Sequence, residues 1–374
     1  MKKKNLNYGY TTGSCATAAA KGAALMLRYQ QRVDEVAIIL PLGETAVFRL
    51  FGQEFSENFA SCYVIKDAGD DPDVTNGAEI HSTVTLNTPS PPFRKEENNC
   101  SIIIQGGVGI GRITKPGLAL PVGEWAINPI PRRMITEAVC EVFTRPPSLL
   151  TPHRPYLSPQ VTISIPNGEE LAKKTLNARL GIIGGLSILG TTGIVKPISI
   201  QAWTDTIEAA IDVALACGCE TAVLSTGRTS ELAAQHFFSN SFSEEAYIMM
   251  GDHVGHALRA CARKGVRRII LAAQFAKLLK IACGHEQTHV DSSKLDLQIL
   301  AGWLKKTPHS SLLTSHALNA NTARQVLEGS GNDAGLIDLV SHKAADYVAQ
   351  LAPGLHTQVL LAGYGGEVLY CRCD

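Results

Sequence analysis

Thr221-Ala222-Val223-Leu224-Ser225-Thr226-Gly227-Arg228 decides the architecture of the second half of this chain. A five-residue apolar run of this kind reads as a buried strand, and Thr226-Gly227-Arg228 breaks it before helical periodicity resumes over 229–238. The rhythm recurs on both sides. Strand-like Ala246–Met250, Ile269–Ala273 and Gln358–Ala362 alternate with helical segments at 203–217, 254–264, 276–283, 294–306 and 333–351. Strand and helix in turn predict a mainly parallel α/β sheet. Ligands of such sheets sit at the carboxyl ends of the strands, here Thr226-Gly227-Arg228, Gly251-Asp252-His253 and Gln274.

Upstream of about residue 200 the pattern differs. Ser14 is placed to cap a helix through the Ala-rich segment to about Gln30, and strand-like runs follow at Val36–Leu40, Thr45–Phe51, Cys62–Ile65, Ala78–Asn87, Ser101–Gln105 and Val161–Ile165. Helices are expected over Arg132–Arg145 and in a segment ending near Gly181, with surface excursions at Thr88–Asn99 and Pro146–Pro159. Paired strands with few helices predict an α+β unit with a mixed sheet. The whole reads as two domains, 1–199 and 200–374.

Three local patterns carry chemistry. Lys66-Asp67-Ala68-Gly69-Asp70-Asp71-Pro72-Asp73-Val74-Thr75 crowds four carboxylates around Gly and Pro, which exclude a helix interior or core strand. This acidic loop can bind a cation, act as a base, or be a solvated turn whose carboxylates cap backbone amides. Gly106-Gly107-Val108-Gly109-Ile110-Gly111-Arg112 misses the dinucleotide spacing. Its glycines, Gly107 and Gly109 among them, can bring backbone close to a flat ligand, while Arg112, Lys115, Arg132 and Arg133 offer cations to carboxylates. Tyr10-Thr11-Thr12-Gly13-Ser14 precedes a helix, as an anion site or an ordinary cap does, and Gly190-Thr191-Thr192-Gly193 repeats the turn.

Balanced charge, 34 Lys plus Arg against 34 Asp plus Glu, argues against a nucleic-acid binder. No apolar run reaches the roughly 20 residues of a membrane span, and Lys21 interrupts the one candidate for a signal segment. Ten cysteines within apolar patterns read as reduced, buried thiols of a cytoplasmic protein. His285-Glu286-Gln287-Thr288-His289 matches the zinc-peptidase pattern. Gly284 before it and Asp291-Ser292-Ser293 after it place it in a connection, where the two histidines do not share a helix face.

Four stretches also resemble a known family: GYTTGSCATAAAKGAA (residues 9–24), KDAGDDPDVTNGAEI (66–80), GGVGIGRITKPGLALPVGEWAINPIPRRMI (106–135) and the glycine-rich run around Gly181–Gly193. In this order, across most of the chain, they are similar to the cobalt-precorrin-5B C1-methyltransferases, the CbiD family. The resemblance implies an enzyme using S-adenosylmethionine to methylate a ring carbon of a cobalt-containing tetrapyrrole, with no protein-bound metal. Asp67, Asp70 or Asp71 then manages a ring proton or orients the macrocycle. Thr11, Thr12, Ser14, Asp73, Thr75, Gly107, Gly109, Arg112, Lys115 and Arg132 form the substrate side. Their position at the strand ends of the second domain, not the resemblance, makes Thr226, Gly227 and Asp252 the expected donor side, with Asp252 accepting from ribose hydroxyls. The rivals are a non-catalytic tetrapyrrole carrier and a zinc hydrolase using His285, Glu286 and His289. The sequence leaves the oligomeric state open, a homo-oligomer included.

Overall fold

The computed structural model describes residues 6–86, 102–144, 159–197, 199–307 and 311–372. The Thr88–Asn99 excursion and most of the Pro146–Pro159 stretch lie outside them. The chain divides into two compact units, Met1–Ser199 and Ile200–Asp374.

The first unit is built on the helix Thr12–Tyr29, of which fourteen of eighteen residues are buried. Alanines, Gly13 and Gly22 give it a thin surface, so it can lie close against strands Phe59–Ile65 and Glu79–Leu86 and helix Pro129–Thr144. A helix apolar on nearly every side is a core helix. Its cap is Thr11, not Ser14: Thr11 has extended backbone and its Oγ1 accepts the Ser14 amide at 3.2 Å. Thr11→Ala should therefore cost about 1 kcal/mol in a urea titration, the usual loss of a hydroxyl cap.

A mixed sheet underlies this helix. Its order is Phe51–Phe55, Phe59–Ile65, Glu79–Leu86, Pro159–Ser164, Ile103–Gly106, antiparallel except for the last pair. Alternate residues Ala60, Cys62, Val64, Ile80, Val84, Val161 and Ile163 form the covered face. Two expectations change. The run Thr45–Phe51 splits, because Thr45–Arg49 pairs in a hairpin with Glu35–Ile39 whereas Phe51–Phe55 joins the sheet. The helix expected up to Gly181 spans only Gly168–Ala172. Thr175 explains its end: the hydroxyl donates to the Ala172 carbonyl at 2.8 Å and accepts the Asn177 amide at 3.1 Å, competing with further helical bonds.

The second unit has the sheet order Tyr247–Met249, Thr221–Ser225, Arg268–Gln274, His356–Ala362, Val368–Arg372. The first four strands are parallel and the last antiparallel. Numbered along the chain this is 2-1-3-4-5, a doubly wound order whose switch point lies between Thr221–Ser225 and Arg268–Gln274. The inner strands are largely apolar because helices cover both faces. Ser311–Asn319 and Ala323–Gly329 are additional helices, short and rich in polar residues, and their weak periodicity hides them in the sequence.

Candidate active site

In the acidic loop most carboxylates are committed to the turn itself. Asp67 Oδ1 accepts the Gly69 amide at 2.8 Å, and its carbonyl accepts the Tyr10 amide at 2.7 Å. Asp70 Oδ2 accepts the Asn7 amide at 2.7 Å, while the Asp71 amide donates to the Ala68 carbonyl at 3.3 Å. Asp73 is the anchor. Its Oδ2 meets Lys66 Nζ at 2.7 Å, and its Oδ1 accepts the Thr75 amide at 2.8 Å and hydroxyl at 2.6 Å. Burial alone would raise the Asp73 carboxyl, but Lys66 and Thr75 outweigh it and hold it below the ordinary carboxylate value. Lys66 is 1% exposed and the Asp73 side chain 26%, so a buried ammonium meets a half-buried carboxylate. Asp73 and Thr75, placed with the substrate by resemblance, are thus turned inward. Asp67 and Asp70 are exposed and each keep one carboxylate oxygen outside these bonds. Cys15 is close enough to feel the charge of Lys66, yet burial pushes its thiol up to about 12, which disqualifies it as a nucleophile.

The two Thr-Thr-Gly turns clasp one another. Thr11 N donates to the Gly193 carbonyl at 3.1 Å, Gly13 N to Leu189 at 3.0 Å, and Ser14 Oγ to Gly193 at 2.8 Å. Thr12 Oγ1 accepts the Leu189 amide at 3.0 Å. The Gly13 and Ser14 amides at this helix start are thereby spent on protein acceptors, so Thr11, Thr12 and Ser14 join chain segments and leave no amide cradle for an anion.

The glycine loop is equally occupied by protein. A Cβ on Gly109, whose φ is +71°, would lie 2.0 Å from the Ile165 carbonyl oxygen, and one on Gly107 would lie 2.4 Å from Ser164 Oγ. Arg132 donates to the carbonyls of Ile127 (2.8 Å) and Trp125 (3.2 Å) and pairs with Glu124 at 3.0 Å, so it clamps its own turn. Lys115 Nζ lies 3.4 Å from the Arg179 carbonyl. Arg112 differs: it is exposed, lies 3.8 Å over the Trp125 ring, and donates from one nitrogen to the Gly123 carbonyl at 2.7 Å. Its remaining N–H groups stay available to a carboxylate.

At the switch point of the second unit, Thr226 donates its amide to the Ala272 carbonyl at 3.1 Å and is 9% exposed. Gly227 opens the helix Arg228–Phe237 in extended conformation, and a Cβ there would meet nothing within 4 Å. Asp252 is engaged instead: it pairs with Lys277 and accepts the Thr288 hydroxyl at 2.6 Å, and these bonds outweigh burial to keep its carboxyl low. Ser225 belongs to none of the sequence patterns that carry chemistry. Fully buried at the end of strand Thr221–Ser225, its Oγ has no hydrogen-bond partner. A lone hydroxyl closing an apolar strand was the signal.

Residues 285–289 follow the helix Phe275–Ala282 as a loop. Glu286 pairs with Arg259, and Thr288 is buried under Lys280, whose Nζ donates to its carbonyl at 2.9 Å. This is the connection expected, and it lacks the helical face that a zinc-peptidase pair requires. Among the described cysteines, Cys140 and Cys371 each carry a disulfide bond, which departs from the expectation of reduced thiols throughout, whereas Cys15, Cys62, Cys219, Cys261 and Cys283 are thiols.

A family model described as CbiD matches residues 1–197, and one described as CbiD, C-terminal domain, matches residues 287–372. Proteins named cobalt-precorrin-5B C(1)-methyltransferase resemble the chain along its length. That of Geobacter sulfurreducens is 62% identical over 373 residues, 99% of this chain and 99% of the relative. That of Geobacter metallireducens is 60% identical over 380 residues, 99% of this chain and all of the relative's 100%. A crystal structure of cobalamin biosynthesis protein (cbiD) from Archaeoglobus fulgidus is 29% identical, covering 74% of this chain and 79% of that one. Its TM-score of 0.37 is too low to bear on the fold.

Proposed function

The chain belongs to the CbiD family, and we propose that it transfers a methyl group from S-adenosylmethionine to C-1 of cobalt-precorrin-5B. The observation that carries this is near-complete coverage at 62% identity by a relative of that name. The doubly wound sheet supports a donor site at its switch point, where an unpartnered buried hydroxyl, Ser225, ends strand Thr221–Ser225 beside the open backbone of Gly227. The donor supplies an electrophilic methyl on a sulfonium, so the protein's work is alignment and exclusion of water.

On the substrate side, Arg112 keeps N–H groups for a carboxylate of the macrocycle. Asp67 and Asp70, each with one oxygen free, are the groups suited to receive a ring proton. Asp73, Thr75, Lys115 and Arg132 hold these groups in place. Among the described residues no helix is long and apolar enough to cross a membrane, and we place the enzyme in the cytoplasm.

Calorimetric titration with S-adenosylmethionine and S-adenosylhomocysteine, with and without a cobalt tetrapyrrole, tests the reading. One donor bound per chain and methylated product are expected. A protein that binds the tetrapyrrole yet ignores both adenosyl compounds would be a carrier. One zinc per chain, with activity lost to a chelator, would reinstate His285, Glu286 and His289.

A further inference from the structure

The hairpin that ends the second unit's sheet holds a carboxylate against bare backbone. Strand His356–Ala362 runs into Gly363-Tyr364-Gly365-Gly366-Glu367 before Val368–Arg372 returns antiparallel. The turn is closed by the Gly363 amide, which donates to the Glu367 carbonyl at 2.8 Å. The Glu367 side chain curls back over this turn: a Cβ on Gly363 would fall 2.0 Å from its Oε1, and one on Gly365 2.7 Å from its Oε2. No hydrogen bond or ion pair to a described residue engages that carboxylate.

Parallel strands bring their carboxyl ends to one edge. His356–Ala362 lies beside Arg268–Gln274, which lies beside Thr221–Ser225, so the turn stands on the same edge as Thr226-Gly227-Arg228. Gly366 approaches the helix that follows the first loop: a Cβ on it would be 4.0 Å from Thr229 Cγ2. At the foot of the first loop is Ser225, 0% exposed with its Oγ unpaired. A buried hydroxyl without a partner is costly, and a ligand that completes it recovers that cost. Asp252, the acid first expected to meet a ribose, bonds both Lys277 and Thr288 through its Oδ1, whereas both oxygens of Glu367 stay outside such bonds.

The geometry points to Glu367 as the acceptor of the ribose hydroxyls of the adenosyl donor, with Ser225 Oγ bonding a polar atom of the same ligand. This rests on the methyltransferase reading above. A vicinal diol presents two O–H donors and a carboxylate two acceptors side by side, a pairing strengthened by the acceptor's charge. The same negative charge favours the cationic donor over its neutral product, which helps the product leave.

Titration of the intact protein with S-adenosylhomocysteine and with its 2′,3′-dideoxy analogue, in the presence and absence of a cobalt tetrapyrrole, tests the assignment. Glu367→Gln should weaken S-adenosylhomocysteine at least about tenfold, the usual loss of a hydrogen bond to a charged group. The dideoxy analogue should bind wild type and Glu367→Gln alike. Ser225→Ala should bind several-fold more weakly while its ligand-free form melts no lower than wild type. Equal S-adenosylhomocysteine affinity in wild type and Glu367→Gln overturns the inference and leaves the methyltransferase standing. A loss confined to Asp252→Asn overturns it too, returning the ribose to Asp252. Wild type that binds no adenosyl compound under either condition overturns both readings.

Discussion

Gly109→Ala is expected to unfold the first unit, losing more than about 4 kcal/mol, in the range that marks a named structural fault. Two costs add. The backbone at Gly109 has φ +71°, which charges an L-residue roughly 1–2 kcal/mol. The larger cost is steric. A Cβ would lie 2.0 Å from the Ile165 carbonyl and 2.9 Å from Gly168, and these are backbone atoms that no rotamer change can move aside. Gly168 and Gly185 in turn each approach the Gly109 carbonyl so closely that their own Cβ would fall 2.2 Å from it. Three chain segments therefore cross at one point, fastened by Ile165 N to the Val108 carbonyl at 2.8 Å and Leu186 N to Gly109 at 2.9 Å. Urea unfolding followed by circular dichroism measures the loss. Gly227→Ala is the control, since its added Cβ meets open space and its backbone is extended; it should stay within about 0.5 kcal/mol of wild type. Equal midpoints for the two variants would mean that the crossing can relax.

That crossing marks the limit of what the sequence discloses. The strands of the second unit were legible because both of their faces are buried, so each is a plain apolar run ended by glycine or a polar residue, as at Thr221–Ser225. The glycine loop was conspicuous too, but its partner was not. Whether Gly107 and Gly109 make room for a ligand or for Ser164 and Ile165 depends on residues more than fifty positions away. Thr12 and Leu189 meet across 177 residues, and neither Thr-Thr-Gly turn announces the other. Arg112 and Arg132 look equivalent in sequence, yet one faces solvent over Trp125 while the other fills three internal bonds. Patterns of period and punctuation report local backbone. The side chains' partners come from tertiary contacts, and these separate the groups left for chemistry from those that hold the loops.

Asp73→Asn should cost about 3–5 kcal/mol, because it leaves the Lys66 ammonium buried without its counter-charge. Lys66→Met combined with Asp73→Asn should recover most of that loss. An uncharged chain of similar length then occupies the buried site, and such replacements of buried pairs are often neutral. The pair also sets an acid limit. Asp73 titrates lower in the folded protein than in the unfolded chain, so the unfolded state binds the proton more readily. Its contribution is complete above the unfolded value of about 3.9 and disappears as the pH falls through the lower folded value. Wild type should therefore lose stability below about pH 4, and the double variant should lose less over that interval. Thermal melts of the three proteins at neutral and acid pH decide the matter. An Asp73→Asn variant that melts with wild type at neutral pH would show that Lys66 finds another partner. The functional consequence follows from position. Lys66 and Asp73 bracket Asp67 and Asp70 in the sequence and close the loop that presents them. A protein without the pair should retain its donor affinity, which the proposed site assigns to the other unit, and lose methylation because the acidic loop no longer holds its shape. Loss of donor binding in the folded double variant would contradict that division of labour.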